Sequence, residues 1–284
     1  MPRFDPHPDV RPVLIAGASS GIGAATAIML AEAGFPVALG ARRVETCREL
    51  ADKITANGGT AFAGSLDVTD DASVDAFVTA AEESLGPIEV AVSGAGDIEF
   101  GLAYEMDPQT FLKQVDVHLV GAQRLAHRIL PGMISRRRGD FVFIGSDCAD
   151  QVRPRNGAYN AAKTGLEAMA RQLRMELEGT GVRASIVRPG ATQTGMGMNA
   201  APDQVGPLLD DWVKWGFARH PFFLRASDLA AAIAAVVNTP RGAHLVLVEV
   251  QPEAPLREPA QADEEAHRRA DEEGHRRADE EGQS

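Results

Sequence analysis

The 284-residue chain reads as an α/β protein: a doubly wound parallel sheet of about seven strands, flanked by helices, in a single domain. Three observations predict this. Short apolar runs alternate with helical patterns along most of the chain. Several runs are apolar throughout, as strands covered on both faces are. A glycine-rich turn sits between the first run and the first helical pattern.

In order, Val13–Ala16, Val37–Gly40, Glu89–Ser93, Asp140–Gly145, Ala184–Arg188 and His244–Val250 read as strands, with Ala61–Ser65 a weaker one. Between them, Gly21–Ala33, Glu45–Asn57, Asp71–Leu85, Asp107–Arg136, Gly157–Glu178 and Ala226–Asn238 read as helices. Asp107 before Pro108 is an N-cap with Pro at the first helical position. Strands alternating with helices imply right-handed crossovers, which place a ligand at the carboxyl ends of the strands near the switch in strand order.

Residues 1–10 read as an extension, 11–252 as the folded domain and 253–284 as a charged tail. Residues 262–269, 270–277 and 278–282 repeat an ADEE-containing octad with no apolar seam, the pattern of a disordered segment. The tail carries 11 acidic and 5 basic residues, which is half of the formal net charge of −12.

That balance argues against a nucleic-acid partner and against an anionic membrane surface. The longest apolar stretch, about Leu229–Val237, is far short of the ~20 residues of a spanning helix. Cys47 and Cys148 form no metal-ligand spacing and no disulfide framework, so a reducing, cytoplasmic context is the simplest.

The turn Gly17-Ala18-Ser19-Ser20-Gly21-Ile22-Gly23 follows the first strand and opens a helix. Glycines there let backbone N–H groups and a helix N-terminus approach a pyrophosphate. After the second strand, where an NAD site has a carboxylate for the ribose 2′-hydroxyl, stand Arg42 and Arg43. A guanidinium suits a 2′-phosphate, so NADP(H) is the expected cofactor, with Arg42 as first contact and Ser19 or Ser20 assisting.

Ser146 closes the fifth strand, and Tyr159 and Lys163 lie one helical turn apart on one face. A nearby ammonium would lower the phenol pKa toward the working range of a proton shuttle.

With these residues in this order and spacing, residues 10–250 resemble the short-chain dehydrogenase/reductase family. The carrying motifs are the glycine turn, Asp67-Val68, Ser93-Gly94-Ala95-Gly96, the Ser146/Tyr159/Lys163 set, and Pro189-Gly190 with Thr192 and Thr194. The resemblance implies a Rossmann-type sheet and hydride transfer between NADP(H) and a carbonyl or secondary alcohol, with Tyr159 as general acid/base. It implies that Asp67 and Val68 meet adenine, that Ala95 and Gly96 lie near the adenosine ribose, that Lys163 holds the nicotinamide ribose, and that Pro189, Gly190, Thr192 and Thr194 position the carboxamide. The chain departs from the family at two places. Ser93-Gly94 replaces Asn-Asn. His118 stands where a catalytic Asn supports a water relay to the lysine, which assigns it to the catalytic set.

The segment Ala191–Ser227 holds Met196, Met198, Leu208, Leu209, Trp212, Trp215, Phe217, Phe222 and Phe223. This suits an apolar lid over a lipophilic substrate or a subunit interface of a homodimer or homotetramer. Arg153 and Arg155 read as solvated loop residues, with contact to an acidic group on the substrate as the alternative. A non-catalytic NADP(H)-binding sensor is the alternative from another class, and an epimerase or dehydratase of the extended group is a third reading.

Overall fold

The computed structural model describes residues 7, 10–196, 202–217, 220 and 222–256. Met198, Phe217's neighbours 218–219 and the repeats from residue 257 onward lie outside the described residues. Those described form two compact units: one reaching to residue 217 and resuming over 223–252, the other holding 220, 222 and 253–256.

The first unit alternates strand and helix. It runs β1 (Val13–Ala16), α1 (Gly21–Glu32), β2 (Val37–Ala41), α2 (Val44–Ala56), β3 (Ala61–Ser65), α3 (Asp71–Leu85), β4 (Val90–Ser93), α4 (Pro108–Val115), α5 (Gly121–Arg136), β5 (Gly139–Ile144), α6 (Gly157–Glu176), β6 (Val182–Pro189), β7 (Thr192–Gln193), α7 (Pro202–Lys214), β8 (Leu224–Arg225), α8 (Ala226–Val237) and β9 (Leu247–Val250). Seven strands form one parallel sheet in the order β3-β2-β1-β4-β5-β6-β9, and β7 pairs with β8 separately. The fold is the expected single Rossmann-like α/β domain.

Alternation along the central strands divides the core. Leu14 and Ala16 pack with Phe141, Phe143 and the apolar faces of α3, α5 and α6. Val13 and Ile15 pack on the other side with Val142, Val187 and residues of α1, α2 and α8. The Asp70 carboxylate caps α3 by accepting from the Ala72 and Ser73 amides at 3.2 Å each, and Asp107 caps α4 through the Gln109 and Thr110 amides.

The expected single helix over 107–136 is interrupted. Asp116–Val120 forms a π-helical turn between α4 and α5, and this wider turn carries His118. β6 is longer than expected. The last strand is shorter and only partly buried, because it pairs on one side with β6.

Strand order reverses between β1 and β4, and the Gly17 turn lies there. The Gly94 amide donates to the Ala16 carbonyl at 3.1 Å. Gly17 takes φ +86°, and a Cβ on it would meet the Gly94 carbonyl oxygen at 2.7 Å. Only glycine fits this crossing.

Candidate active site

One cavity of about 690 Å³ opens at the carboxyl ends of the strands. Every residue expected at the site lines it, from Gly17 through Thr194, except His118, which lies buried behind its wall.

At one end is the glycine cradle. A Cβ on Gly23 would overlap the Gly17 carbonyl oxygen, so the chain can turn this tightly into α1 only without side chains. Ser20 occupies the N-cap position but makes no side-chain cap bond. Instead the Arg43 guanidinium donates to the Ser20 hydroxyl at 2.9 Å and to the Ser19 hydroxyl at 3.1 Å. Thus Arg43, rather than Arg42, is drawn to the serines. Arg42 lines the same cavity, and its charge helps to hold the Asp67 carboxyl low, behind two hydrogen bonds from Thr69. Two guanidiniums and a turn kept open by Gly17, Gly21 and Gly23 fit the phosphates of a dinucleotide.

At the other end, Ser146 follows β5. Its hydroxyl accepts from the Cys148 amide at 3.2 Å. The Lys163 ammonium donates to the Ile144 carbonyl at 2.8 Å and sits 5.6 Å from the centre of the Tyr159 ring. Burial pushes Lys163 down to about 8, opposed by the charge of Glu167. Tyr159 does not show the expected lowering. Burial pushes its phenol above the ordinary value, with the nearby Cys148 and Asp147 adding to the rise, and a hydrogen bond with Ser146 only partly offsets it. The resting site therefore holds a protonated phenol beside a lysine poised near neutrality.

His118 packs edge-on against Tyr159, ring centres 5.1 Å apart at 89°. Burial, then the charge of Lys163, pushes it down to about 3. The ring is neutral, so the 2.5 Å contact is Nε2–H donating to the Asp97 carbonyl. That leaves Nδ1 as a buried acceptor without a partner in the structure.

Between the two ends lies a mixed wall that sequence reading only partly found. Trp212, Met196 and Phe223 come from the segment expected as a lid, joined by Phe100, Asp147 and Asn156. Arg153 and Arg155 are not free in solvent but paired and only partly exposed. Arg153 donates to Asp147 at 2.5 Å and stacks 5.1 Å over Trp212, and Arg155 pairs with Asp211 at 2.7 Å. Their partners are 6 and 56 positions away, and no local pattern marks the second.

The sequence profile of the short chain dehydrogenase family matches residues 11–205. The chain belongs to the short-chain dehydrogenase/reductase family. It is 35% identical over 84% of its length to the glycine betaine reductase ATRR of Emericella nidulans, of which it spans 18%. It is 36% identical over 66% of its length to the 3-oxoacyl-[acyl-carrier-protein] reductase MabA of Mycobacterium tuberculosis, of which it spans 71%. Among solved structures, actinorhodin polyketide ketoreductase with NADPH superposes with TM-score 0.76 at 26% identity, over 86% of this chain and 96% of that one. A metagenomic short-chain oxidoreductase in complex with NADP superposes with TM-score 0.72 at 27% identity, over 86% of this chain and 98% of that one. Family and fold are therefore settled. Among the described residues, no helix is long and apolar enough to cross a membrane, and no group of three or more His, Cys, Asp or Glu could hold a metal ion.

Proposed function

We propose that this protein is an NADP(H)-dependent oxidoreductase that interconverts a carbonyl and a secondary alcohol on a lipophilic small molecule. One observation carries the reading: Ser146, Tyr159 and Lys163 converge on the same cavity as the glycine cradle and its two arginines. Neighbours solved with NADP or NADPH support the choice of cofactor.

The glycine turn from Gly17 to Gly23 would receive the pyrophosphate, and Arg42 and Arg43 the 2′-phosphate. Asp67, Val68, Ala95 and Gly96 would hold the adenosine end, and Pro189, Gly190, Thr192 and Thr194 the nicotinamide end. When bound, the nicotinamide supplies or accepts the hydride. The chain's own residues do the rest. The Ser146 hydroxyl orients the substrate oxygen. The raised pKa of Tyr159 keeps its proton in place for donation to that oxygen, and the Lys163 charge stabilises the phenolate left behind. His118 continues the proton path behind Tyr159. Phe100, Met196, Trp212 and Phe223 provide the apolar part of the substrate wall. The catalytic domain spans 11–252, the tail stands outside it, and a homodimer or homotetramer in the cytoplasm is the proposed setting.

The test is a panel of stereodefined ketones and alcohols followed at the NADPH absorbance band. Turnover with NADPH in preference to NADH, lost by at least about 100-fold in Tyr159→Phe, is the expected result. Tight NADPH binding with no turnover on any substrate would favour the sensor reading. Turnover without net redox change would favour an epimerase or dehydratase.

A further inference from the structure

Behind the catalytic helix lies a charge cluster that the proposed reaction leaves unused. Glu167 stands one turn after Lys163 on α6 and is 1% exposed. Arg188, the residue before Pro189 on β6, is 4% exposed. The two form a bidentate pair: Nε donates to Oε1 at 3.1 Å and Nη2 to Oε2 at 2.6 Å. The third guanidinium nitrogen reaches Asp150 at 2.5 Å and Glu249 at 2.9 Å. Arg171 lies 3.6 Å from Glu167 on its solvent side.

Burying a carboxylate costs several kcal/mol before pairing, so its position is informative. Glu167 Oε1 lies 2.5 Å from where a Cβ on Gly145 would be, which packs the carboxylate onto the backbone between Ile144 and Ser146. The preceding carbonyl, that of Ile144, is the one that accepts from the Lys163 ammonium. Lysine therefore bonds the Ile144 carbonyl while glutamate packs against the next residue, Gly145, at the end of β5, immediately before the catalytic serine. Arg188 fixes the glutamate from β6, immediately before the nicotinamide segment.

We propose that Glu167, clamped by Arg188, is a positioning residue for Lys163, holding its ammonium charged and seated on the Ile144 carbonyl. The role of Lys163 in turnover rests on the oxidoreductase reading; its ionisation does not. The groups facing Lys163 are Tyr159 and Glu167 on its own helix, His118 from the π turn and the Cys148 thiol after β5. His118 is neutral and Tyr159 protonated, so Glu167 is the carboxylate in that set. Burial draws the lysine down to about 8 against the pull of Glu167, so removing that anion releases the burial effect.

The chain has four lysines, Lys53, Lys113, Lys163 and Lys214, so a ¹³Cε-lysine NMR titration of the full-length protein resolves the buried one directly. In Glu167→Gln the Lys163 midpoint moves down by about one pH unit, and in Glu167→Asp it returns most of the way. In Glu249→Gln, at a side chain 40% exposed, Arg188 loses a competing partner and neutralises Glu167 further. The midpoint then moves down by a smaller step, and this variant decides the matter if Glu167→Gln does not fold. Alongside, the alkaline fall of kcat with NADPH and a turned-over ketone shifts down in step with the midpoint, while kcat at pH 6 changes by less than about threefold. An unmoved Lys163 midpoint, or a loss of kcat equal at every pH, overturns the proposal. A wild-type chain that turns over nothing while the variants shift the lysine midpoint as stated overturns the oxidoreductase reading and leaves this one standing.

Discussion

His118 shows how burial decides the state of a single side chain. Its folded pKa, about 3, lies well below the ordinary 6.5, because the imidazolium would sit in a dry wall beside Lys163. Above pH 6.5 both the folded and the unfolded ring are neutral, and the fold loses nothing. As pH falls from 6.5 toward 3, the unfolded ring takes up a proton that the folded one refuses, so stability declines by about 1.4 kcal/mol per pH unit from this residue alone. In His118→Asn that term is absent. Urea unfolding of the two proteins should give a stability difference that is flat above pH 7 and tilts against the wild type through pH 5 and 4. A difference that stays flat down to pH 4 would mean that the ring protonates freely in the fold. The same neutrality leaves Nδ1 a neutral acceptor, with Nε2–H committed to the Asp97 carbonyl.

At the level of elements, α7 is tied to the loop that precedes Tyr159. Arg155 holds Asp211, and Arg153 lies over Trp212. Arg155 does this from a backbone φ of +64°, unusual for a side chain of its size, with its carbonyl accepting from Gly101. Asp211→Ala should loosen α7 over the cavity. An ion pair of this partial exposure contributes up to about 1 kcal/mol, or about fivefold in substrate KM, with kcat changed by less than twofold and cleavage within 202–217 faster under limited proteolysis. Equal KM in the two proteins would show that α7 holds its place without the pair. Such ties explain what could and could not be read in advance. Val13–Ala16 and Phe141–Ile144 announce themselves because strands covered on both faces are apolar along their length. The Gly17 turn and the Tyr159/Lys163 pair are legible because their chemistry is local, within seven and five residues. Asp211 meeting Arg155 across 56 positions leaves no local trace. Nor does the π turn at His118, whose residues read as ordinary amphipathic helix, or the burial that raises Tyr159 against the pull expected from its lysine.

Across the whole molecule, β5 meets the cavity at one end and gathers buried ion pairs at the other. Its carboxyl end delivers Ser146. Near its amino end Asp140, 1% exposed, receives Arg11 on one oxygen and Arg183 on the other, each at 2.6 Å. Arg11 also donates to the Val237 carbonyl at the end of α8, and Arg183 to the carbonyls of Thr239 and Ala243. One carboxylate therefore joins the segment before β1, two central strands and the chain that leaves α8. His7 completes the group, pushed down to about 4 by burial and by the neighbouring arginines, so it adds no charge near neutral pH. Asp140→Asn keeps the shape but leaves two guanidiniums without their anion, Arg11 being as buried as the carboxylate was. Removing one partner of such a buried set costs about 3–5 kcal/mol. The variant should unfold at a markedly lower urea midpoint with an unchanged m-value, since the surface exposed on unfolding is the same. At temperatures where it stays folded, its NADPH affinity should lie within about threefold of the wild type, because the damage falls at the end of the sheet opposite the cavity. A midpoint lowered by less than the equivalent of 1 kcal/mol would mean that backbone carbonyls alone satisfy the two arginines, and that the molecule is not held together at this point.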